Sequence, residues 1–193
     1  APLATWLKKN VDNYVENEVE RVALAKLGIE SKVVPSFLGK VEDYEVCYKP
    51  SETVKLYTSV SGNDFKLYGW YKIYKLAQDN PDIEFFLYGN TASFPIPENL
   101  FSNIFIRGRV PKEKMNAEIK EMTGALRLTE HDGFSEIIAK SLLWGQWPVS
   151  LINYPGTIRL ESIGSLKDFK EPNYKGREWL IGCLNKYPWN NKK

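Results

Sequence analysis

Two kinds of hydrophobic pattern alternate along this chain, one typical of strands and one typical of helices. Short apolar runs bounded by glycine, proline and polar residues predict strands at 31–37, 53–60, 83–90, 103–108, 124–128 and 148–152. Between these runs, apolar residues recur three and four positions apart. That period predicts amphipathic helices at 12–27, at 69–78, after Pro111, from 134 to 145 and at about 174–186.

The alternation of strands and helices with short connections predicts the fold class. We expect an α/β fold, in which a doubly wound, Rossmann-like and mostly parallel sheet of five or six strands carries helices on both faces. Residues 1–50 are expected to form an N-terminal helix, strand and linker, and residues 51–193 the doubly wound domain. Such sheets bind ligands beyond the ends of their strands. The loops of interest are therefore 61–68, 89–94, 108–110 and 129–135.

Composition narrows the possible functions only slightly. The 193 residues include 26 lysines and arginines and 24 aspartates and glutamates, a balance that gives no signal for nucleic acid or membranes. No apolar run is long enough to span a bilayer, and residues 1–9 do not resemble a signal peptide. We expect a cytoplasmic protein without an integral membrane segment, with peripheral membrane association left open. Cys47 and Cys183 are expected to be reduced thiols.

A polar turn at 130–135 precedes the most regular of the predicted helices. Asp132 is predicted to cap that helix, because a carboxylate there accepts bonds from free backbone N–H groups. The same N–H groups, behind Gly133, also form an anion site, because the helix dipole and unpaired donors attract phosphate. Glu136 and Lys140 have the spacing of a surface ion pair. The residues alone leave open whether this turn is an ordinary helix start or a binding site.

His131 is the only histidine in the chain, and its neighbours do not favour a catalytic role. Ser135 is placed to cap a helix rather than to act as a nucleophile. The sequence offers neither a second histidine nor a cysteine pair with the spacing of a metal site. We therefore expect no metal site and no nucleophilic triad.

Four segments, in their order and spacing, resemble the C-terminal, nucleotide-sugar-binding domain of GT-B glycosyltransferases, in particular the large retaining family four. The segments are SGNDFKLYG (61–69), NPDIEFFLYGN (80–90), NIFIRGRVPKEKM (103–115) and EHDGFSEIIAKSLLWGQWPV (130–149). The resemblance implies that residues 51–193 form a donor-binding domain. It also implies that the acceptor binds to an N-terminal domain or to a separate subunit.

The resemblance implies a set of donor-binding residues in these loops. The donor sugar would contact Glu130, His131, Asp132, Gly133, Phe134 and Ser135, with Asp132 in place of the usual glutamate. The diphosphate would lie at Gly62, Asn63 and Lys66. The family's phosphate-binding arginine and lysine fall near Asn63 and Tyr68, so that Lys66 is the basic residue of this loop. The nucleobase and ribose would lie at Gly89, Asn90, Gly108, Arg109, Val110, Glu136 and Lys140, where Lys140 replaces the family's second glutamate.

Three classes of function remain open. The chain is the donor-binding half of a glycosyltransferase, a partner-dependent sugar-nucleotide-binding subunit without catalysis, or an unrelated flavodoxin-like interaction domain. For the first class the resemblance implies a nucleotide-diphosphate sugar as substrate and no metal or other cofactor. It places no catalytic residue firmly in this chain, because much of the catalytic machinery of GT-B enzymes lies on the N-terminal domain. At about 150 residues per domain, the chain has room for one doubly wound domain.

Overall fold

The computed structural model describes residues 2–60, 65–92, 94–130 and 132–186. The helices of these residues are α1 Pro2–Asn10, α2 Glu18–Lys26, α3 Trp70–Asp79, α4 Lys112–Lys120, α5 Glu136–Leu143 and α6 Tyr174–Leu184. The strands are β1 Tyr14–Val15, β2 Lys32–Val33, β3 Val54–Val60, β4 Ile83–Gly89, β5 Ile104–Gly108, β6 Gly124–Arg127 and β7 Val149–Ser150. Two 3₁₀ helices occur, at Val41–Asp43 and Leu160–Asp168.

Five strands form one parallel sheet in the order β5-β4-β3-β6-β7. The central strand β3 pairs with β4 along its whole length, from Val54 opposite Ile83 to Val60 opposite Gly89. On its other side β3 pairs with β6. The predicted α/β fold, with a parallel sheet of five or six strands, is confirmed.

Helices cover both faces of this sheet, and each face has its own apolar cluster. Successive side chains of β3 show the division, because Tyr57 belongs to one cluster and Leu56 to the other. Helices α4, α5 and α6 pack on the Tyr57 side, where Leu142 of α5 is fully buried. Helix α3 and the second 3₁₀ helix pack on the Leu56 side, where α3 contributes Trp70. Burial on both faces explains why the central strands are apolar almost throughout.

The N-terminal residues form a smaller unit beside the main sheet. Strands β1 and β2 pair in parallel, with Val15 opposite Val33, and α2 connects them. The helix predicted over 12–27 is therefore wrong in its first part. The Asn17 side chain accepts the N–H of Glu20 at 3.0 Å and caps α2, so the helix begins at Glu18 and extended backbone precedes it.

Several apolar side chains of this N-terminal unit lie at the surface. Val19 and Val22 of α2 and Leu27 at its C-cap, three of the four residues whose spacing predicted the helix, are 54%, 42% and 59% exposed. Leu3 and Trp6 of α1 are exposed as well. We call these five residues the N-terminal apolar set. Their exposure means that the pattern of α2 is not explained by packing within the described residues.

Two features bear on the wider expectations from sequence. No helix in the described residues has both the length and the apolar composition needed to cross a bilayer. Cys47 and Cys183 are free thiols, and burial raises the pKa of each thiol above its ordinary value.

Candidate functional site

The topological switch point of the main sheet lies between β3 and β6. From β3 the chain continues into β4 on one side, whereas β6 lies on the other side of β3. Connections therefore leave the two strands in opposite directions, which opens a crevice beyond their carboxyl ends. The loops before α3 and before α5 flank this crevice, and both were selected from the sequence.

Gly69 allows α3 to start at this crevice. Its φ is +73°, a conformation that disfavours residues with a side chain. A Cβ at this position would lie 2.7 Å from the Cβ of Leu128, which follows β6. The absence of a side chain therefore lets the start of α3 pack directly on the end of β6.

We expect Gly69→Ala to lower the free energy of unfolding by about 2–5 kcal/mol. The left-handed conformation costs an alanine about 1–2 kcal/mol, and overpacking against Leu128 adds about 1–3 kcal/mol. Gly108→Ala is a matched control, since Gly108 has a φ of +67° but nothing lies within 4 Å of an added Cβ. Urea unfolding measures both losses. Equal losses would contradict the packing part of this prediction.

Arg127, the last residue of β6, reaches into the crevice. Its Nε donates to Oδ2 of Asp132 at 2.7 Å, and its Nη1 donates to the Ser59 carbonyl at 3.4 Å. The guanidinium carbon lies 5.0 Å from the centre of the Tyr68 ring, within the range of a cation–π contact. The sequence pattern places Arg127 in a predicted strand but does not mark it as a site residue. A charged residue at the carboxyl end of a buried strand is the signal that identifies it.

A cavity of about 250 Å³ opens beside Arg127. The start of α5 forms one wall of this cavity. The first N–H groups of a helix have no partner within the helix, and the N-cap residue Ser135 makes no side-chain capping bond. The cavity thus combines a guanidinium with the free N–H groups of a helix start. Its lining residues are Ser59, Val60, Tyr68, Arg127, Asp132, Phe134, Ser135, Glu136 and Ile137.

Asp132 lies on the turn before α5 but does not cap this helix. The prediction that it caps α5 is wrong, because the N-cap position falls on Ser135, three residues later, and the intervening residues form bends. The Asp132 carboxylate instead pairs with Arg127, and the Thr129 hydroxyl donates to it at 3.5 Å. Its side chain is 23% exposed and lines the cavity beside Arg127.

Asp132 also lines a second cavity, of about 360 Å³. Glu130 and Gly133 line this second cavity, together with Asn17 and Glu20 from the N-terminal unit. Asp132 is therefore common to the linings of both cavities.

The pair Glu136 and Lys140 is not a surface pair. Lys140 Nζ lies 2.9 Å from Glu136 Oε1, as the spacing predicted, but the Lys140 side chain is only 10% exposed. The prediction failed because α5 is buried at every residue except Glu136, so the helix has no broad solvent face. Glu136 lines the cavity beside Arg127, whereas Lys140 is not among the lining residues. Both residues were predicted to contact the nucleobase or ribose, and only Glu136 lines this cavity.

Lys66 and Glu130 lie next to the Arg127 cavity rather than in it. Lys66 is exposed and lines a separate cavity of about 270 Å³ with Leu128 and Glu130. Lys72, from α3, also lines this cavity and forms an ion pair with Glu130. The ion pair joins α3 to the turn that contains Asp132.

The residues assigned to the nucleobase lie at the ends of β4 and β5, outside the lining of these cavities. Gly89 has a φ of +100°, and a Cβ there would lie 1.9 Å from the Val60 carbonyl oxygen. Close strand pairing therefore accounts for this glycine, and Asn90 donates its backbone N–H to the same carbonyl at 3.2 Å. Arg109 is exposed, and Val110 packs against the apolar cluster of α5. The roles given to these residues and to Gly108 stay predictions.

Three residues of the predicted site lie outside the described residues. They are Gly62, Asn63 and His131. The diphosphate and sugar contacts assigned to them stay predictions.

Residues distant in the sequence hold the turn from two sides. Asn17, which is 1% exposed, donates its side-chain N–H to the Asp132 carbonyl at 2.7 Å. The Tyr154 hydroxyl donates to the Gly133 carbonyl at 2.6 Å. Burial raises the pKa of Tyr154 far above its ordinary value, and the nearby Asp132 carboxylate adds to that effect, so the phenol remains a donor at neutral pH. Neither contact was predicted from the sequence.

No protein-family model and no curated protein matches the sequence. Solved structures do match, with low identity. Sucrose-phosphate synthase from Thermosynechococcus elongatus aligns with a TM-score of 0.65 and 11% identity, over 94% of this chain and 56% of that chain. AviGT4, a glycosyltransferase involved in avilamycin A biosynthesis, aligns with a TM-score of 0.63 and 11% identity, over 88% and 58%.

A third match is Anabaena Alr3699/HepE, solved in complex with UDP and glucose. It aligns with a TM-score of 0.57 and 11% identity, over 95% of this chain and 61% of that chain. This chain thus spans little more than half the length of these three proteins. At such identity the matches concern the fold, and the predicted resemblance is confirmed at that level. With its five-stranded parallel sheet, the chain has the fold of a Rossmann-like half of a GT-B glycosyltransferase.

Proposed function

We propose that this chain is the donor-binding half of a retaining glycosyltransferase. It binds a nucleotide-diphosphate sugar in the crevice between β3 and β6, for transfer of the sugar to an acceptor held elsewhere. The observation that carries this proposal is the group of side chains at the switch point. There, a guanidinium, the N–H groups of a helix start and a carboxylate border one cavity of about 250 Å³.

Arg127 is proposed as the main cation for the diphosphate. Its planar donor fork suits phosphate oxygens, and the N–H groups at the start of α5 add further donors. In the GT-B pattern a lysine falls near Tyr68, and here the Arg127 guanidinium lies over the Tyr68 ring. Strand β6 thus brings a cation close to a position where the first loop lacks one. Because Arg127 and the helix start supply positive charge, the proposed site is metal-independent.

Asp132 is proposed to bind hydroxyl groups of the donor sugar. Asp132 lines both the Arg127 cavity and the cavity of about 360 Å³. A ligand with its diphosphate at Arg127 can therefore place its sugar within reach of Asp132 and Glu130. Carboxylate oxygens accept hydrogen bonds, which sugar hydroxyls donate. Glu136, at the opposite end of the Arg127 cavity, is the acceptor proposed for ribose.

The N-terminal apolar set supports a partner domain or subunit that holds the acceptor. Val19, Val22 and Leu27 are exposed on a helix that connects two strands of two residues each. A two-stranded sheet is only marginally stable alone. We propose that an acceptor-binding domain, in the same chain or in a separate subunit, covers these residues and continues this small sheet.

A thermal-shift panel tests the proposed donor. UDP-glucose is the first ligand to try, because HepE was solved with UDP and glucose, and GDP-glucose and ADP-glucose complete the panel. At about 100 times its dissociation constant, a bound ligand adds about 2.7 kcal/mol to stability. We expect that ligand to raise the melting temperature by about 5–10 °C. Uridine and glucose alone are the controls. If no nucleotide sugar shifts the melting temperature, the proposed function is wrong.

A further inference from the structure

Glu16 already binds the turn that is proposed to hold the donor. Its Oε2 accepts the backbone N–H of Phe134 at 2.8 Å, and its Oε1 accepts the hydroxyl of Ser36. Glu16 lies between β1 and α2, 118 positions before Phe134 in the sequence. A carboxylate of the N-terminal unit thus accepts the backbone N–H directly after Gly133. The sequence predicts an anion site at this position.

Gly133 makes room for this carboxylate. A Cβ at position 133 would lie 1.7 Å from Glu16 Oε2, far closer than any non-bonded contact allows. Gly133 is not among the glycines with positive φ, so its backbone conformation does not demand glycine. The close approach of Glu16 therefore accounts for this glycine.

The surroundings of Glu16 carry further negative charge. The backbone N–H of Glu16 donates to Glu20 Oε2 at 2.8 Å, which places the Glu20 carboxylate beside the Glu16 backbone. Asp132 lies two residues before Phe134 on the same turn. The carboxylates of Asp132, Glu20 and Glu16 all raise the pKa of the Tyr154 hydroxyl, so all three lie close enough to act on this one group. An anionic ligand that approaches the turn from this side finds the Phe134 N–H already bound to Glu16. It is also repelled by the nearby carboxylates.

We propose that Glu16 competes with the nucleotide sugar for the Phe134 N–H. The N-terminal unit must therefore release the turn before an oxygen atom of the nucleotide sugar can accept that N–H. The identity of the competing ligand rests on the proposed function. Glu16 thus lowers the affinity for the nucleotide sugar, whereas Arg127 and Asp132 are proposed to raise it. Its neutralisation is expected to strengthen nucleotide binding, whereas loss of a group that positions the turn would weaken it.

The test compares Glu16→Gln and Glu16→Ala with the parent chain. Calorimetry with UDP and UDP-glucose is expected to show about 3- to 10-fold tighter binding by both variants. Glu18→Gln is the matched control, since it removes one carboxylate charge from the same N-terminal unit, outside these cavities, but leaves the Phe134 N–H bound to Glu16. It is expected to bind within about twofold of the parent. Thermal unfolding checks that each variant is folded.

Amide hydrogen exchange at Phe134 provides a readout that needs no nucleotide. We expect faster exchange in Glu16→Ala than in the parent, and no change in Glu18→Gln. An unchanged exchange rate in Glu16→Ala would overturn the contact itself. Equal or weaker UDP-glucose binding by the Glu16 variants, with a parent that binds, would overturn the competition and leave the proposed function intact. If parent and variants all fail to bind, the proposed function is wrong and the competition falls with it.

Discussion

Arg127→Ala is expected to weaken the binding of nucleoside diphosphates by about 1.5–3 kcal/mol, or roughly 10- to 150-fold. The guanidinium lies at the switch point of the sheet, and its side chain is 16% exposed, so that solvent screens it only in part. The mutation removes the cation of the proposed diphosphate site and leaves the Asp132 carboxylate unpaired at its edge. Calorimetry with UDP and UDP-glucose measures the loss, and both affinities are expected to fall by similar factors.

Three comparison variants show whether the loss belongs to Arg127 itself. Arg127→Lys keeps the charge but lacks the planar donor fork, and we expect it to recover only part of the affinity. Lys66→Ala removes an exposed cation of the neighbouring cavity and is expected to have a smaller effect. Arg109→Ala removes an exposed cation outside these cavities and serves as the control for overall charge. If Lys66→Ala has the larger effect, the diphosphate lies before α3 rather than at the end of β6.

The main sheet was predictable because its elements depend on local patterns. Strands β3 and β4 are buried on both faces, and in β4 this burial appears in the sequence as the apolar run from Phe85 to Tyr88. Gly69 was predicted as the first residue of a helix, whereas it precedes α3 as the N-cap in a left-handed conformation. In contrast, the helix predicted over 12–27 fails at Tyr14–Val15, since pairing with β2 outweighs the local helical period. Pairing between strands that are distant in the sequence does not change the spacing of apolar residues, so that spacing does not predict it.

The site was less predictable than the fold, because its geometry depends on contacts between distant segments. The loops that flank the switch point were found, since the order of strands and helices locates them. Arg127 was missed, because its role depends on the neighbouring ends of β3 and α3. The contacts of Glu16 and Asn17 span more than a hundred positions and leave no periodic signal. Burial of Lys140 was missed for a similar reason, since α6 packs on α5.

Asp132→Asn is expected to separate recognition of the sugar from recognition of the diphosphate. Asparagine keeps the shape of the side chain but loses its charge and replaces one acceptor oxygen with a donor. We expect affinity for UDP-glucose to fall by about 1.5–3 kcal/mol, the size of a charge-assisted hydrogen bond. Affinity for UDP is expected to stay the same or to rise, because Arg127 loses the carboxylate that competes with phosphate for its N–H groups.

The structure also changes the expected effect of Asp132→Asn on stability. A capping aspartate tolerates asparagine almost without loss, but Asp132 does not cap α5. It pairs with a mostly buried guanidinium, so we expect the free energy of unfolding to fall by about 1–2 kcal/mol. Glu130→Gln is the matched control for stability, because Glu130 lies on the same turn, pairs with Lys72 and is mostly exposed. Calorimetry with UDP and UDP-glucose measures the two affinities, and urea unfolding measures the change in stability. If Asp132→Asn weakens UDP and UDP-glucose equally, the carboxylate serves only to hold Arg127 and does not bind the sugar.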